Sequence, residues 1–111
     1  MYKIYGIPNC DTVKKTLVFL KTRSVAFDFV DYKKNPPTIE LLKDFKKQIG
    51  ELPVNKKGPT FRKIKEIYEK SPEAEQIQLL IENSSAIKRP IILKQGKIVS
   101  IGYDEKALNQ L

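Results

Sequence analysis

The chain reads as an α/β protein: a strand–helix–strand unit, a group of inserted helices and a strand–strand–helix unit sharing one mixed four-stranded sheet. Three observations predict this. Tyr2-Lys3-Ile4-Tyr5-Gly6 and Val25-Ala26-Phe27-Asp28-Phe29-Val30 are short β-prone runs with one amphipathic stretch between them. Strands joined across a helix lie parallel, so these two form a βαβ unit. The middle of the chain carries apolar residues at helical spacing, and the final third returns to short apolar runs about a Gln95-Gly96 turn. At 111 residues the chain is expected to be one domain, 1–111, with enough mass for a real core.

Each element has a local reason. The first strand ends in the tight loop Ile7-Pro8-Asn9-Cys10, and Asp11-Thr12-Val13-Lys14-Lys15 opens a helix whose apolar stripe is Val13, Leu17 and Leu20, with Val18 and Phe19 beside it. The second strand closes at Asp31-Tyr32. Pro36-Pro37 breaks the chain, Thr38 is placed as the N-cap of a helix carrying Ile39, Leu41, Leu42, Phe45 and Ile49, and Gly50 stops it. After an irregular stretch to Pro59, Thr60 is expected to cap a short helix through Phe61, Ile64, Ile67 and Tyr68. Ser71-Pro72-Glu73 starts another helix with proline at its first position, bearing Ile77, Leu80 and Ile81 and ending near Asn83-Ser84-Ser85. Ile91–Lys94 and Lys97–Ile101 form the hairpin, and Asp104 begins a last short helix through Leu108.

Composition removes several function classes. No apolar run reaches the length of a membrane span, and the Met1-Tyr2-Lys3 start lacks the apolar core of a signal peptide, so a cytoplasmic protein with no membrane partner is expected. With no histidine and one cysteine, an internal disulfide framework, a zinc or iron–sulfur centre and a Cys-His pair are all out of reach. The net charge of +8 invites a nucleic-acid reading, but the lysines are scattered over every segment, without a basic tract interleaved with stacking aromatics. Direct nucleic-acid binding is therefore not expected; the cationic surface suits anionic thiols or acidic proteins. No interface signal stands out, and a monomer is expected.

Cys10 is the residue that points to chemistry. A lone cysteine is commonly a buried small hydrophobe, yet here Asn9, Asp11 and Thr12 are polar and Pro8-Asn9 favours an exposed turn. A thiol at a helix N-terminus feels the positive end of the helix dipole and unpaired backbone N–H groups. Both favour thiolate, moving the pKa from about 8.5 toward roughly 3.5–7.5. Lys14, one turn on, adds positive charge. Asp11 is placed to cap the helix, with a negative charge that opposes the thiolate.

This order of elements, with a cysteine after the first strand, looks like a thioredoxin fold. Three blocks, Gly6-Ile7-Pro8-Asn9-Cys10-Asp11-Thr12-Val13-Lys14-Lys15, Asp31-Tyr32-Lys33-Lys34 and Ile87-Lys88-Arg89-Pro90-Ile91, resemble the arsenate reductase-like family, which joins glutaredoxin-linked arsenate reductases with the Spx regulators. The best match is its small bacterial branch of YffB-like proteins, regarded as glutathione-dependent thiol reductases. The resemblance spans nearly the whole chain and implies that Cys10 is the nucleophile, that Pro90 is the cis-proline facing it, and that Arg89 and Arg62 are oxyanion-binding arginines. Asn9, Thr12, Lys14 and Pro90 would shape or charge the substrate site with them.

Two departures from the family pattern bear on activity. The third arginine of the arsenate reductases should fall near Ile101-Gly102-Tyr103-Asp104 and is missing, which argues against arsenate as a good substrate. The Cys-x-x-Cys switch of Spx regulators has Val13 in its last place, so no internal disulfide can close. The resemblance thus implies a monothiol oxidoreductase: Cys10 forms a mixed disulfide that glutathione, as co-substrate, or a glutaredoxin-type protein resolves, with no bound cofactor. The alternative is an Spx-like regulator that binds the RNA polymerase alpha subunit.

Overall fold

The computed structural model describes residues 1–111 as β1 (Tyr2–Gly6), α1 (Asp11–Thr22), β2 (Phe27–Asp31), α2 (Ile39–Ile49), α3 (Pro59–Lys70), α4 (Glu73–Glu82), β3 (Ile91–Lys94), β4 (Lys97–Ile101) and α5 (Glu105–Leu108), with a 3-10 turn at Ser84–Ala86. Contacts group these into two compact units, residues 1–35 with 89–111, and residues 36–88.

The first unit holds the sheet, in the order β2-β1-β3-β4. β1 runs parallel to β2, with Ile4 beside Phe29, and antiparallel to β3, with Ile4 beside Ile92. β3 and β4 pair antiparallel, with a bulge where the register shifts between Ile92 and Leu93. This is the mixed four-stranded sheet of a thioredoxin-like fold. Gln95 (φ 52°) and Gly96 (φ 81°) both take left-handed backbone, the conformation that a two-residue hairpin turn requires. One face of the sheet is covered by a core of Ile4, Leu20, Ile92 and Leu108, with Leu17, Phe19 and Phe29 against it. That pairing of α1 and α5 residues with β1 and β3 follows from the period of each element: Leu17 and Leu20 share a helix face, while alternate strand residues share a sheet face.

α1 lies very close to β1. A Cβ on Gly6 would sit 3.0 Å from Val13 Cγ2 and 3.5 Å from Phe29 Cε1. The second strand starts two residues later than expected, at Phe27 rather than Val25. The Val25 N–H is taken by the Leu20 carbonyl (3.0 Å) and Ser24 is turned to φ 56°, so the end of α1 consumes those residues.

The second unit packs α3 against α4 and α2 against α4, with the 3-10 turn beside α3 and α4. Leu42, Phe45, Phe61, Ile77 and Leu80 are buried there. Thr38 caps α2 as expected, its Oγ1 accepting from the Leu41 N–H at 3.1 Å, and Gly50 ends that helix at φ 89°. Two expected starts are corrected. α3 is capped by Gly58 and begins at Pro59, not Thr60, because proline's fixed φ and absent N–H suit the first helical position. It also runs three turns to Lys70. α4 begins at Glu73 with Pro72 at the N-cap, and Ser71 closes α3, leaving a sharp corner between the two helices. Val54 and Ile87 form an isolated antiparallel bridge, and the Lys88 N–H reaches the Pro53 carbonyl at 2.8 Å. No helix is long and apolar enough to cross a membrane.

Candidate functional site

The site is built at the C-terminal end of β1. The Tyr32 N–H donates to the Gly6 carbonyl (2.9 Å), and the Tyr32 ring stacks on Tyr5 with centroids 5.9 Å apart. These contacts tie the residue after β2 to the end of β1, from which Ile7 turns inward and is buried while Pro8 and Asn9 form an exposed turn. The loop delivers Cys10 to the N-cap of α1 (φ −116°, ψ 126°), where its carbonyl accepts the first helical hydrogen bond from the Lys14 N–H at 2.9 Å.

Cys10 is thus the capping residue, not Asp11, which is the first helical residue and exposed. No side-chain oxygen caps this helix. The first-turn N–H groups are left to the sulfur, which is free and half-buried. Burial pushes the thiol pKa up. The Val13 N–H, the Arg89 guanidinium through both a hydrogen bond and its charge, and the Thr12 N–H outweigh burial and bring it below the ordinary value. The lowering comes from these groups rather than from Lys14, whose side chain is exposed.

Arg89 is carried to the sulfur by the approach to β3. The Arg89–Pro90 peptide bond is cis, as the family resemblance implies, and the buried Pro90 accepts from the Gly102 N–H at 2.8 Å. Gly102 itself stands at φ 73°, a left-handed turn that lets its N–H come back to Pro90 after β4.

Of the residues named from sequence, Cys10, Thr12 and Arg89 meet at one sulfur, Thr12 through its backbone. Asn9 and Lys14 flank that sulfur along the chain with exposed side chains, and Pro90 adjoins Arg89. Arg62 lies on α3 in the second unit, exposed, with its N–H on the Gly58 carbonyl at 3.3 Å. The contribution that residue-type reasoning missed is that of Val13. Its apolar side chain packs toward β1, while its backbone N–H serves the sulfur. Only the position three residues after the cap could have signalled it.

The arrangement is a thiol whose pKa is brought down by backbone donors and one guanidinium, on a thioredoxin-like sheet. The class is therefore a thioredoxin-like protein with a single activated thiol. The chain belongs to the ArsC family, whose model matches residues 5–111. It is 38% identical over 108 residues to an uncharacterized protein of Haemophilus influenzae, covering 96% of this chain and 94% of that one. It is 30% identical over 111 residues to the regulatory protein MgsR of Bacillus subtilis, covering 96% of this chain and 86% of MgsR. The solved structure of the YffB protein matches it with a TM-score of 0.88 at 35% identity, covering 99% of this chain and 97% of that chain.

Proposed function

We propose that this protein is a cytoplasmic monothiol reductase that acts on disulfides and takes its electrons from glutathione or a glutaredoxin-type protein. The observation that carries the reading is the Cys10 sulfur at the α1 N-cap, its thiolate favoured by the Val13 and Thr12 N–H groups and by Arg89.

In the first step the Cys10 thiolate attacks the glutathionyl sulfur of a mixed disulfide. The S–S bond breaks, the substrate leaves as a thiolate and takes a proton from water, and Cys10 is joined to glutathione. With one cysteine in the chain, nothing internal can displace that adduct. A second glutathione thiolate therefore attacks the glutathionyl sulfur, releasing Cys10 as thiolate and leaving as glutathione disulfide. Overall the mixed disulfide and one glutathione thiol become the substrate thiol and glutathione disulfide. Arg89 stabilises Cys10 as attacking group and again as leaving group, while Asn9, Thr12, Lys14 and Pro90 border the place where the incoming disulfide lies.

The test is intact-mass analysis of the protein after glutathione disulfide treatment. One glutathione should add at Cys10, glutathione should remove it again, and Cys10→Ser should neither form the adduct nor reduce a small mixed disulfide. Absence of an adduct on the wild type would overturn the reading. Arsenate should be reduced far more slowly than by a genuine arsenate reductase, because the position near Gly102 lacks the third arginine.

A second reading, a transcriptional regulator contacting the RNA polymerase alpha subunit, draws on the 30% identity to the regulatory protein MgsR. A polymerase complex that forms equally well with Cys10→Ser would favour it over catalysis.

A further inference from the structure

Positive charge is not shared evenly between the two units. Residues 1–35 with 89–111 carry eleven lysines and arginines against five acidic residues, net +6, while residues 36–88 carry ten against eight, net +2. The ion pairs of Lys46 with Glu73, Lys65 with Glu69 and Lys70 with Glu66 all belong to the second unit, and no α1 lysine joins an ion pair. Three of the five acids in the sheet unit are engaged locally. Asp31 accepts from the Lys33 N–H, Asp104 caps α5, and the Glu105 carboxylate accepts from the Tyr103 hydroxyl at 3.1 Å.

The outward face of α1 concentrates this excess beside the thiol. Lys14, Val18 and Lys21 follow at steps of four and three residues and so share one face, away from the buried Val13, Thr16 and Leu20. Val18 is 62% exposed, an apolar side chain held in water between two ammonium groups. Lys15 flanks it with its Nζ 4.3 Å over the Tyr103 ring, an attraction that places the side chain without cancelling its charge. Asp11, the one acid of the helix, lies at the N-terminal end next to Cys10. Positive charge therefore grows with distance from the sulfur.

Lys21 stands eleven residues beyond Cys10, roughly 16 Å along the helix. That exceeds the Debye length of about 8 Å at physiological salt, so a small ion at the sulfur hardly feels it. A polypeptide joined to the sulfur spans the same distance with about five residues of extended chain. An apolar residue among the cations suits a polypeptide with mixed side chains rather than a bare run of phosphates.

We infer that this face of α1 is the docking surface for the protein partner of Cys10, an acidic segment whose carboxylates meet Lys14, Lys15 and Lys21 and whose apolar side chain covers Val18. Its acids lie several residues from the partner's cysteine, clear of Asp11. The inference rests on the reading of Cys10 as an exchanging thiol.

The probe is a peptide whose single cysteine is followed by a short Ser-Gly spacer and then alternating glutamate and leucine, activated as the mixed disulfide with 2-nitro-5-thiobenzoate. The Cys10 thiolate attacks the peptide sulfur, the peptide becomes disulfide-linked to Cys10, and the coloured aryl thiolate leaves and reports the rate. At low salt it should react about ten-fold faster than its glutamine analogue, an advantage that shrinks as salt rises. A peptide of the same composition with its glutamates beside the cysteine should lose most of that advantage. Lys21→Glu and Val18→Asp should each cut it several-fold, Lys21→Arg should keep it, and Lys47→Gln, at an exposed lysine on α2, should change it little. Capture of glutathione from glutathione disulfide should be the same in all four variants.

Equal rates for the glutamate and glutamine peptides overturn the inference, as does a loss in Lys21→Glu no greater than in Lys47→Gln. Suppression of the peptide reaction by a short oligothymidylate at matched charge would give the face to nucleic acid and overturn it too. A wild type that captures glutathione but treats the peptides alike sinks this inference alone, whereas one that captures neither sinks the reading of Cys10 as well.

Discussion

At the scale of single residues, one sulfur and one guanidinium decide the behaviour of the site. Arg89 lowers the Cys10 pKa both by hydrogen bond and by charge, so Arg89→Ala should raise it. The pH profile of iodoacetamide alkylation should shift to higher pH, with several-fold slower labelling near pH 7 and an unchanged far-UV spectrum; an unmoved profile would remove Arg89 from the site. Cys10→Ser has a less obvious outcome. Serine is a strong N-cap residue and the cap of α1 carries no side-chain oxygen at present, so near pH 6 the variant should match or exceed the wild type by up to about 1 kcal/mol. The balance turns with pH. A thiol whose pKa is lower folded than unfolded contributes stability that is full above the unfolded value of about 8.5 and lost as pH falls through the folded value. Urea midpoints of the two proteins should therefore move in favour of the wild type between about pH 6 and pH 9.5. A difference that stayed constant would show that Cys10 titrates alike in both states.

At the scale of elements, the close approach of α1 to β1 is what aims the helix N-terminus at the sulfur. Gly6→Ala would place a methyl group 3.0 Å from Val13 Cγ2, within the first turn of that helix. The expected cost is about 1–3 kcal/mol by urea denaturation, together with slower alkylation of Cys10 as the Val13 N–H is displaced. A loss of stability with unchanged alkylation would show that the helix moves without disturbing the cap. Locally encoded features were legible in the sequence for this same reason of short range. Thr38, Gly50 and Asp104 each occupy the cap position that their chemistry demands, Asp104 accepting from the Lys106 and Ala107 N–H groups. The starts of β2 and α3 were misplaced because neighbours decided them: the closing turn of α1 takes Val25, and Pro59 takes the first helical position ahead of Thr60. The meeting of Arg89 with Cys10 lies beyond any local signal. It needs the strand order, which places β3 beside β1, and only the resemblance supplied that order from sequence.

At the scale of the whole molecule, the sheet unit and the helical unit are each built around their own buried residues. Within the sheet the two central strands carry the fully buried Ile4, Ile91 and Ile92, whereas β2 and β4 form its edges. Native-state hydrogen exchange should therefore be slowest for the amides shared by β1 and β3 and faster by orders of magnitude at the outer side of β2. Uniform protection across all four strands would contradict a sheet that opens from its edges.

The solitary thiol has a consequence for what the molecule avoids. The one disulfide that this chain could make with its own kind joins Cys10 of one copy to Cys10 of another, bringing two Arg89 side chains and two bodies of net charge +8 together. Like charges of that size repel at low ionic strength, while a small anionic thiol is drawn inward by the same field. The scattered lysines then work as a kinetic sieve: salt speeds self-crosslinking and slows capture of the small thiol. Under dilute conditions self-crosslinking is thereby disfavoured and the Cys10 sulfur stays open to a small anionic thiol, without any second cysteine to guard it.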